Sequence, residues 1–208
     1  MLATKSVVDF IDAVSSDAPA PGGGSVSALA GALGAALSAM VCRLTIGKKK
    51  YELVQDEMMG ILGQADELTA KLTRLMDQDT DAFNGVMRAF ALPRETDAQK
   101  QERSAAIQEA TRQATIVPLE VMKLSEQALG LANIVAEKGN VNSISDAGVA
   151  ALMLKAGCEG AALNVRINLA TMKDGRFVAE TKILMEAIAT NMEMLSDRIA
   201  KRVEEVLS

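Results

Sequence analysis

A chain of 208 residues without a single histidine has few ways to move a proton. Nucleophile pairs of serine or cysteine with imidazole are excluded, as are the common imidazole metal sites. Cys42 and Cys158 stand far apart in apolar segments and match no metal-ligand spacing. Acid–base work is left to carboxylates, lysines, Tyr51 and water. Among the carboxylates Asp79 stands out. Leu68, Leu72, Leu75, Phe83, Val86 and Phe90 fall within a narrow arc at about 100° per residue, and Asp79 falls in the middle of it. Asp77 and Asp81 point well away and read as solvated surface charges. A carboxylate in an apolar seam must be paired, hydrogen-bonded or protonated. It is therefore either a buried structural group or a catalytic acid or base with a shifted pKa. Asp146 is the second candidate.

Binding chemistry is concentrated in three other stretches. Pro19-Ala-Pro-Gly-Gly-Gly-Ser25 opens a helix, with Ser25 as the expected N-cap. Gly22, Gly23 and Gly24 then lie where free N–H groups and the positive dipole end meet a ligand. Lys48, Lys49, Lys50 and Tyr51 form a basic corner, which either complements a helix C-terminus or receives an anionic ligand tail. Asn140, Asn142, Ser145 and Asp146 surround a turn, with Ser143 and Asp146 spaced as a capping box. In the next helix Asp146, Ala150, Met153, Gly157, Gly160, Asn164 and Asn168 share one face. That face is either a groove with polar ends or a close helix-packing surface with satisfied amides.

The elements that must hold these residues read as helices throughout. Ser6 caps a short amphipathic helix with Val7, Val8, Phe10, Ile11 and Val14 on its apolar side. The helix after Ser25 is rich in Ala, Gly and Ser, so other helices can approach it closely on three sides. We read it as the central, surrounded helix. A long helix from Glu52 to Leu92 is closed by Pro93. Another runs from Thr96 or Asp97 to Lys138, with a kink or break expected at Pro118 and Gly139 in the C′ role. The last spans Phe177 to Leu207. No alternating segment indicates a sheet. The expectation is all-α: one domain over 1–208, a bundle of long helices around a small-residue helix.

Composition narrows the function. The chain is 49% hydrophobic with a net charge of −5, and apart from Lys48–Lys50 its basic residues are scattered, which argues against nucleic-acid binding. Residues 25–42 are uncharged and long enough to consider as a membrane span, but their small residues and the lack of an aromatic belt favour a buried helix. The cysteine usage fits a reduced, cytoplasmic protein, and Lys5 and Asp9 replace the apolar core of a secretory signal. Gly47-Lys48 lacks the context of a Walker A motif, and Gly22–Gly24 make no dinucleotide fingerprint.

Pro19–Ser25 with its Ala/Gly helix resembles the cyclodeaminase domain of the formiminotransferase-cyclodeaminase family, and more closely its stand-alone bacterial methenyltetrahydrofolate cyclohydrolases. The resemblance continues in Leu44–Tyr51, Asp77–Phe83, Leu92-Pro93, Gly139–Asp146 and Asn164–Leu169, in the family's order over nearly the whole chain. It implies an all-helical fold that dimerises, a folate substrate with a single or polyglutamylated tail, and no metal or further cofactor. The family's presumed catalytic aspartate matches Asp79. No transferase domain is present, which favours the cyclohydrolase over the formimino-coupled cyclodeaminase. In the reaction so implied, Asp79 assists water on the methenyl bridge. Asn164 and Asn168 bond the pterin edge, and Lys48–Lys50 meet the glutamate tail. The contrasting reading is a non-catalytic helical scaffold or binding module of the same architecture.

Overall fold

The computed structural model describes residues 1–208. Six α-helices follow one another with no strand between them: α1 (Val7–Ser15), α2 (Gly23–Thr45), α3 (Gln55–Phe90), α4 (Asp97–Lys138), α5 (Ile144–Leu169) and α6 (Gly175–Leu207). Short 3-10 turns occupy Leu2–Thr4, Lys49–Val54 and Val141–Ser143. The expected all-α architecture is observed, with α2 packed against α3, α4 and α5.

The small residues of α2 do what their size allows. α5 runs antiparallel to it at backbone contact. A β-carbon on Gly157 would lie 2.8 Å from the Gly31 nitrogen and 2.8 Å from the Ser27 carbonyl. One on Gly160 would strike the Ser27 hydroxyl, and one on Gly34 would strike Leu154. The Gly157–Gly160 stripe is thus first of all a packing surface. The aliphatic core that closes around it includes Leu72, Met122, Leu129, Leu154, Val165 and Ile188. α2 is long and apolar enough to cross a membrane, yet most of it is buried between neighbouring helices.

Several local expectations are corrected. Gly22, not Ser25, is the N-cap of α2, so Ser25 sits inside the first turn and is fully buried. On α1 only Phe10 is buried, whereas Val7, Val8 and Ile11 face outward. Residues 49–54 make a 3-10 turn before α3 begins. On α3, Leu68, Leu72 and Leu75 are buried, but Phe83 and Val86 are half-buried and Phe90 is exposed, so the apolar seam leaves the core beyond Asp79. Asp77 is not free, because its carboxylate accepts the Leu2 amide and ties the N-terminal turn to α3. α4 runs unbroken through Pro118 and is capped by a box formed by Thr96 and Gln99. Gly139 ends α4 with φ −74°, outside the left-handed region. A glycine is needed there for space, since a β-carbon would fall 2.5 Å from the Val135 carbonyl. Ser143 makes no side-chain cap, so the Ser143/Asp146 box does not form; Asn140 caps the 3-10 turn through the Asn142 amide instead.

Candidate functional site

Asp79 sits on α3 where that helix passes the first turn of α2. Its carboxylate is half-buried against the Gly23–Ser25 backbone. The Ser25 hydroxyl lies 2.9 Å from the Met76 carbonyl, 3.0 Å from Oδ2 of Asp79 and 3.3 Å from the Thr80 hydroxyl. A hydroxyl has one proton to give, so Ser25 can donate to the carbonyl or to the carboxylate, but not to both at once. Burial raises the Asp79 pKa above the usual carboxylate range, and the Ser25 hydroxyl and backbone amide pull it partly back. The result is a partly desolvated carboxylate, held by one hydroxyl, at a glycine-lined helix entrance. Met76 and Thr80 are the partners that sequence reasoning missed. They are one turn of α3 from each other and flank Asp79, a signal that helical spacing could have supplied.

Asn164 of α5 joins this end of α2. Its Nδ2 lies 3.5 Å from where a β-carbon on Gly23 would stand, and it donates to the Gly160 carbonyl at 2.9 Å. Asn168 does not join it: its amide donates to the Ala114 carbonyl of α4 at 2.8 Å, so it is a helix-packing amide. None of the five main cavities is lined by Asp79, Gly24 or Ser25; two of them lie between α5 and α6 past Ala162 and Arg166, and two lie beside the start of α4 past Arg94 and Arg103.

The remaining predicted residues gather at the other end of α2, about 33 Å away at 1.5 Å per residue over Gly23–Thr45. There the Tyr51 hydroxyl accepts the Val141 amide at 2.9 Å and stands 3.5 Å from Oδ1 of Asn140. Asn140 donates its backbone amide to Thr45 and its side chain to the Leu44 carbonyl. Lys50 lies 5.4 Å from the centre of the Tyr51 ring, a cation–π distance. Lys48, Lys49, Asn142 and Ser145 are exposed, and Asp146 is half-buried. The structure thus divides into two clusters what the sequence had grouped as one site.

Basic residues are less scattered than the sequence implied. Arg94, Lys100, Arg103 and Lys173 line one cavity of about 420 Å³ beside the start of α4. No group of three carboxylate or thiol side chains converges as a metal site. Burial pushes the Cys42 thiol up to about 11 and the Cys158 thiol up to about 12, so neither is a thiolate at neutral pH.

Residues 6–187 match the family described as formiminotransferase-cyclodeaminase. The chain belongs to this family. It is 44% identical over 204 residues to a methenyltetrahydrofolate cyclohydrolase of Methylorubrum extorquens, with 98% of each chain covered. It is also 38% identical over 173 residues to the formimidoyltransferase-cyclodeaminase of Rattus norvegicus, covering 83% of this chain and 32% of that longer one. Among solved structures, a formiminotetrahydrofolate cyclodeaminase from Thermotoga maritima superposes with a TM-score of 0.90 at 30% identity, over the full length of both chains.

Proposed function

We propose that the chain is a methenyltetrahydrofolate cyclohydrolase in which Asp79 is the catalytic acid–base residue. The observation that carries this reading is the Asp79 carboxylate, partly desolvated and held by Ser25 at a glycine-lined helix entrance. The full-length likeness to the cyclohydrolase of M. extorquens supports it.

5,10-Methenyltetrahydrofolate carries a cation spread over N5, the bridging carbon and N10. Ionised Asp79 stabilises that charge and takes a proton from water as its oxygen bonds to the bridging carbon. The protonated carboxyl then delivers the proton to N5 as the carbon–N5 bond breaks. The hydroxyl proton leaves to solvent, giving 10-formyltetrahydrofolate with one proton released. No change of oxidation level occurs, so the folate is the only organic partner the reaction requires. The free N–H groups of the first turn of α2, with Gly22 and Gly23, and the Asn164 amide supply hydrogen bonds to the substrate. We further propose a homodimer in the cytoplasm, with Lys48–Lys50 meeting the glutamate tail, whether single or extended.

The second reading is formiminotetrahydrofolate cyclodeaminase, favoured by the fold shared with the T. maritima protein. There N10 attacks the formimino carbon and the acid form of Asp79 protonates the departing ammonia. Assaying the purified chain with 5,10-methenyl- and 5-formiminotetrahydrofolate decides between them. Replacing Asp79 by Asn in a folded chain lowers the favoured rate toward the spontaneous one. An unchanged rate in that variant would show that Asp79 does not transfer the proton, and a wild-type chain that processes neither folate returns the chain to the scaffold reading.

A further inference from the structure

Beyond Asp79 the arc of α3 that carries it runs on past the start of α2. The two helices are antiparallel, with Arg43 bonded to Asp66 and Ser25 to Asp79. α2 begins at Gly23, so Thr80–Phe90 overhang it. At 100° per residue Phe83, Val86 and Phe90 lie within about 40° of Asp79 round the axis. Phe83 and Val86 are half-buried, and Phe90 is 49% exposed. Two of the chain's four phenylalanines thus stand on an open apolar strip that starts at the carboxylate. Single apolar side chains on a surface are ordinary, whereas a strip leading out of a site marks a binding surface.

The strip ends at a basin of cations. From Asp79 to Phe90 is about 16 Å along α3 at 1.5 Å per residue. Phe90, Arg94 and Arg103 line one cavity there, with Glu95 as its carboxylate. Arg94 and Arg103 also line the next cavity, which Lys100 and Lys173 complete and no carboxylate enters. Lys100 pairs with Asp97 at 2.8 Å, but Arg94, Arg103 and Lys173 form no ion pair within the chain. Two of the three are nonetheless fixed. Arg103 gives two N–H groups to the Phe90 carbonyl, at 3.1 and 3.0 Å, and its other donors are left for a ligand. Gln108 clasps the α5–α6 turn, donating to the Thr171 carbonyl at 3.0 Å and accepting the Lys173 amide at 2.8 Å. Lys173 then reaches the Ser104 hydroxyl at 3.2 Å. Fixed cations that face one cavity without a counter-charge make an anion site.

We propose that strip and basin form a tail subsite: Phe83, Val86 and Phe90 take the p-aminobenzoyl ring of a folate, and Arg94, Arg103 and Lys173 take carboxylates of the γ-linked glutamates beyond it. The assignment rests on the folate reading of Asp79. A folate with its methenyl bridge at Asp79 presents an apolar ring first and anions afterwards, which is the order of this surface. A γ-linked glutamate puts two more atoms into the chain than an α-linked residue, so each adds more than the ~3.5 Å of an extended residue. Selectivity follows, because tails of several glutamates reach the whole basin and a single glutamate does not. Every glutamate brings a carboxylate, so an extended tail has charge for this basin and for the Lys48–Lys50 corner. The basin is the cluster on the Asp79 side of its own chain, whereas the corner lies about 33 Å away along α2.

The test compares 5,10-methenyltetrahydrofolate carrying one and five glutamates. Wild-type KM should be about tenfold lower for the pentaglutamate, and the double variant Arg94→Ala/Lys173→Ala should lose that ratio. Both side chains are exposed, so the variant should fold. Lys182→Ala/Lys201→Ala removes as much charge from α6 and should keep the ratio. An arm independent of turnover uses p-aminobenzoyl-penta-γ-glutamate, which has no pterin to react. Calorimetry should show it binding the wild-type chain and about tenfold more weakly the Arg94/Lys173 variant. Phe90→Ala should weaken this fragment more than it weakens penta-γ-glutamate without the ring. A ratio unchanged in the Arg94/Lys173 variant, or lost only when Lys48, Lys49 and Lys50 are changed to Ala, overturns the proposal, as does a fragment that binds both chains equally. A wild-type chain that processes a folate with no preference for the longer tail overturns the tail subsite alone. One that binds the fragment as described but processes neither folate overturns the folate reading of Asp79.

Discussion

Gly24 and Asp79 are in a contact that leaves no room for a side chain. A β-carbon on Gly24 would fall 2.1 Å from Oδ1 and 2.5 Å from Cγ of Asp79. The glycine is thus what lets α2 and the carboxylate meet. Gly24→Ala is expected to drive Asp79 off Ser25, cost about 1–3 kcal/mol by overpacking, and lower kcat at least tenfold. Gly23→Ala is the contrasting variant, because its β-carbon would meet only the Asn164 amide at 3.5 Å, an ordinary contact. Thermal melts and steady-state kinetics on the pair check this: Gly23→Ala should keep the wild-type Tm.

Asp79 also sets a pH dependence whose sign is fixed by burial. Its folded-state pKa is raised, chiefly by desolvation, with Ser25 opposing. The folded chain therefore holds a proton that the unfolded chain has released, over the window from the ordinary carboxylate pKa up to the raised one. Stability contributed by this group is full below that window and is lost as pH rises through it. Asp79→Asn, neutral at every pH, should match wild type in acid and melt at a higher temperature at pH 7. Its kcat should fall by about 10²–10⁴ if the carboxylate transfers the proton. A Tm at pH 7 below that of wild type would mean that the carboxylate is a structural partner.

How much of this was legible in the sequence follows from the kind of signal each residue gave. Asp79 was visible because helical periodicity is local, and one polar residue in an apolar arc is read from its own segment. The central place of α2 was visible because a helix of Ala, Gly and Ser has little to bury except its backbone. Ser25 was misplaced as a cap because its partner, Met76 on α3, is 51 residues away and leaves no local trace. Asn164 and Asn168 share a helix face, yet one reaches α2 and the other α4, because four residues carry the side chain about 40° round the axis and a turn further along it, which is enough to change the neighbour. The gathering of Arg94, Lys100, Arg103 and Lys173 was hidden for the same reason: the α5–α6 turn that brings Lys173 across is a property of the packed bundle.

Tyr51 fastens the turn after α4 to the turn after α2. Its hydroxyl is the acceptor for the Val141 amide at 2.9 Å. Tyr51→Phe removes that acceptor and leaves a partly buried N–H unpaired, which costs about 1–3 kcal/mol. Urea denaturation should show a lower midpoint with an unchanged slope, because the loss is local. Changing Lys48, Lys49 and Lys50 to Ala should leave the midpoint nearly unchanged, since these side chains are exposed and form no ion pair in the chain. A large shift in the lysine variant would show that the corner is structural.

The spacing of α2 and α5 offers the last test, because it is set by backbone against backbone. A β-carbon on Gly157 would lie 2.8 Å from two backbone atoms of α2, and no rotamer change can relieve that. Gly157→Ala should force the helices apart, at a cost of about 1–3 kcal/mol, and carry Asn164 away from Gly23. KM should therefore rise together with the loss of Tm. Gly63 on α3 is the internal control. Nothing lies within 4 Å of a β-carbon there, so Gly63→Ala adds helix propensity alone. It should stabilise the chain by about 0.5–1 kcal/mol with kinetics unchanged. Equal effects at the two glycines would mean that α2 and α5 slide freely, and the site at Asp79 would then lack the fixed wall on which its geometry depends.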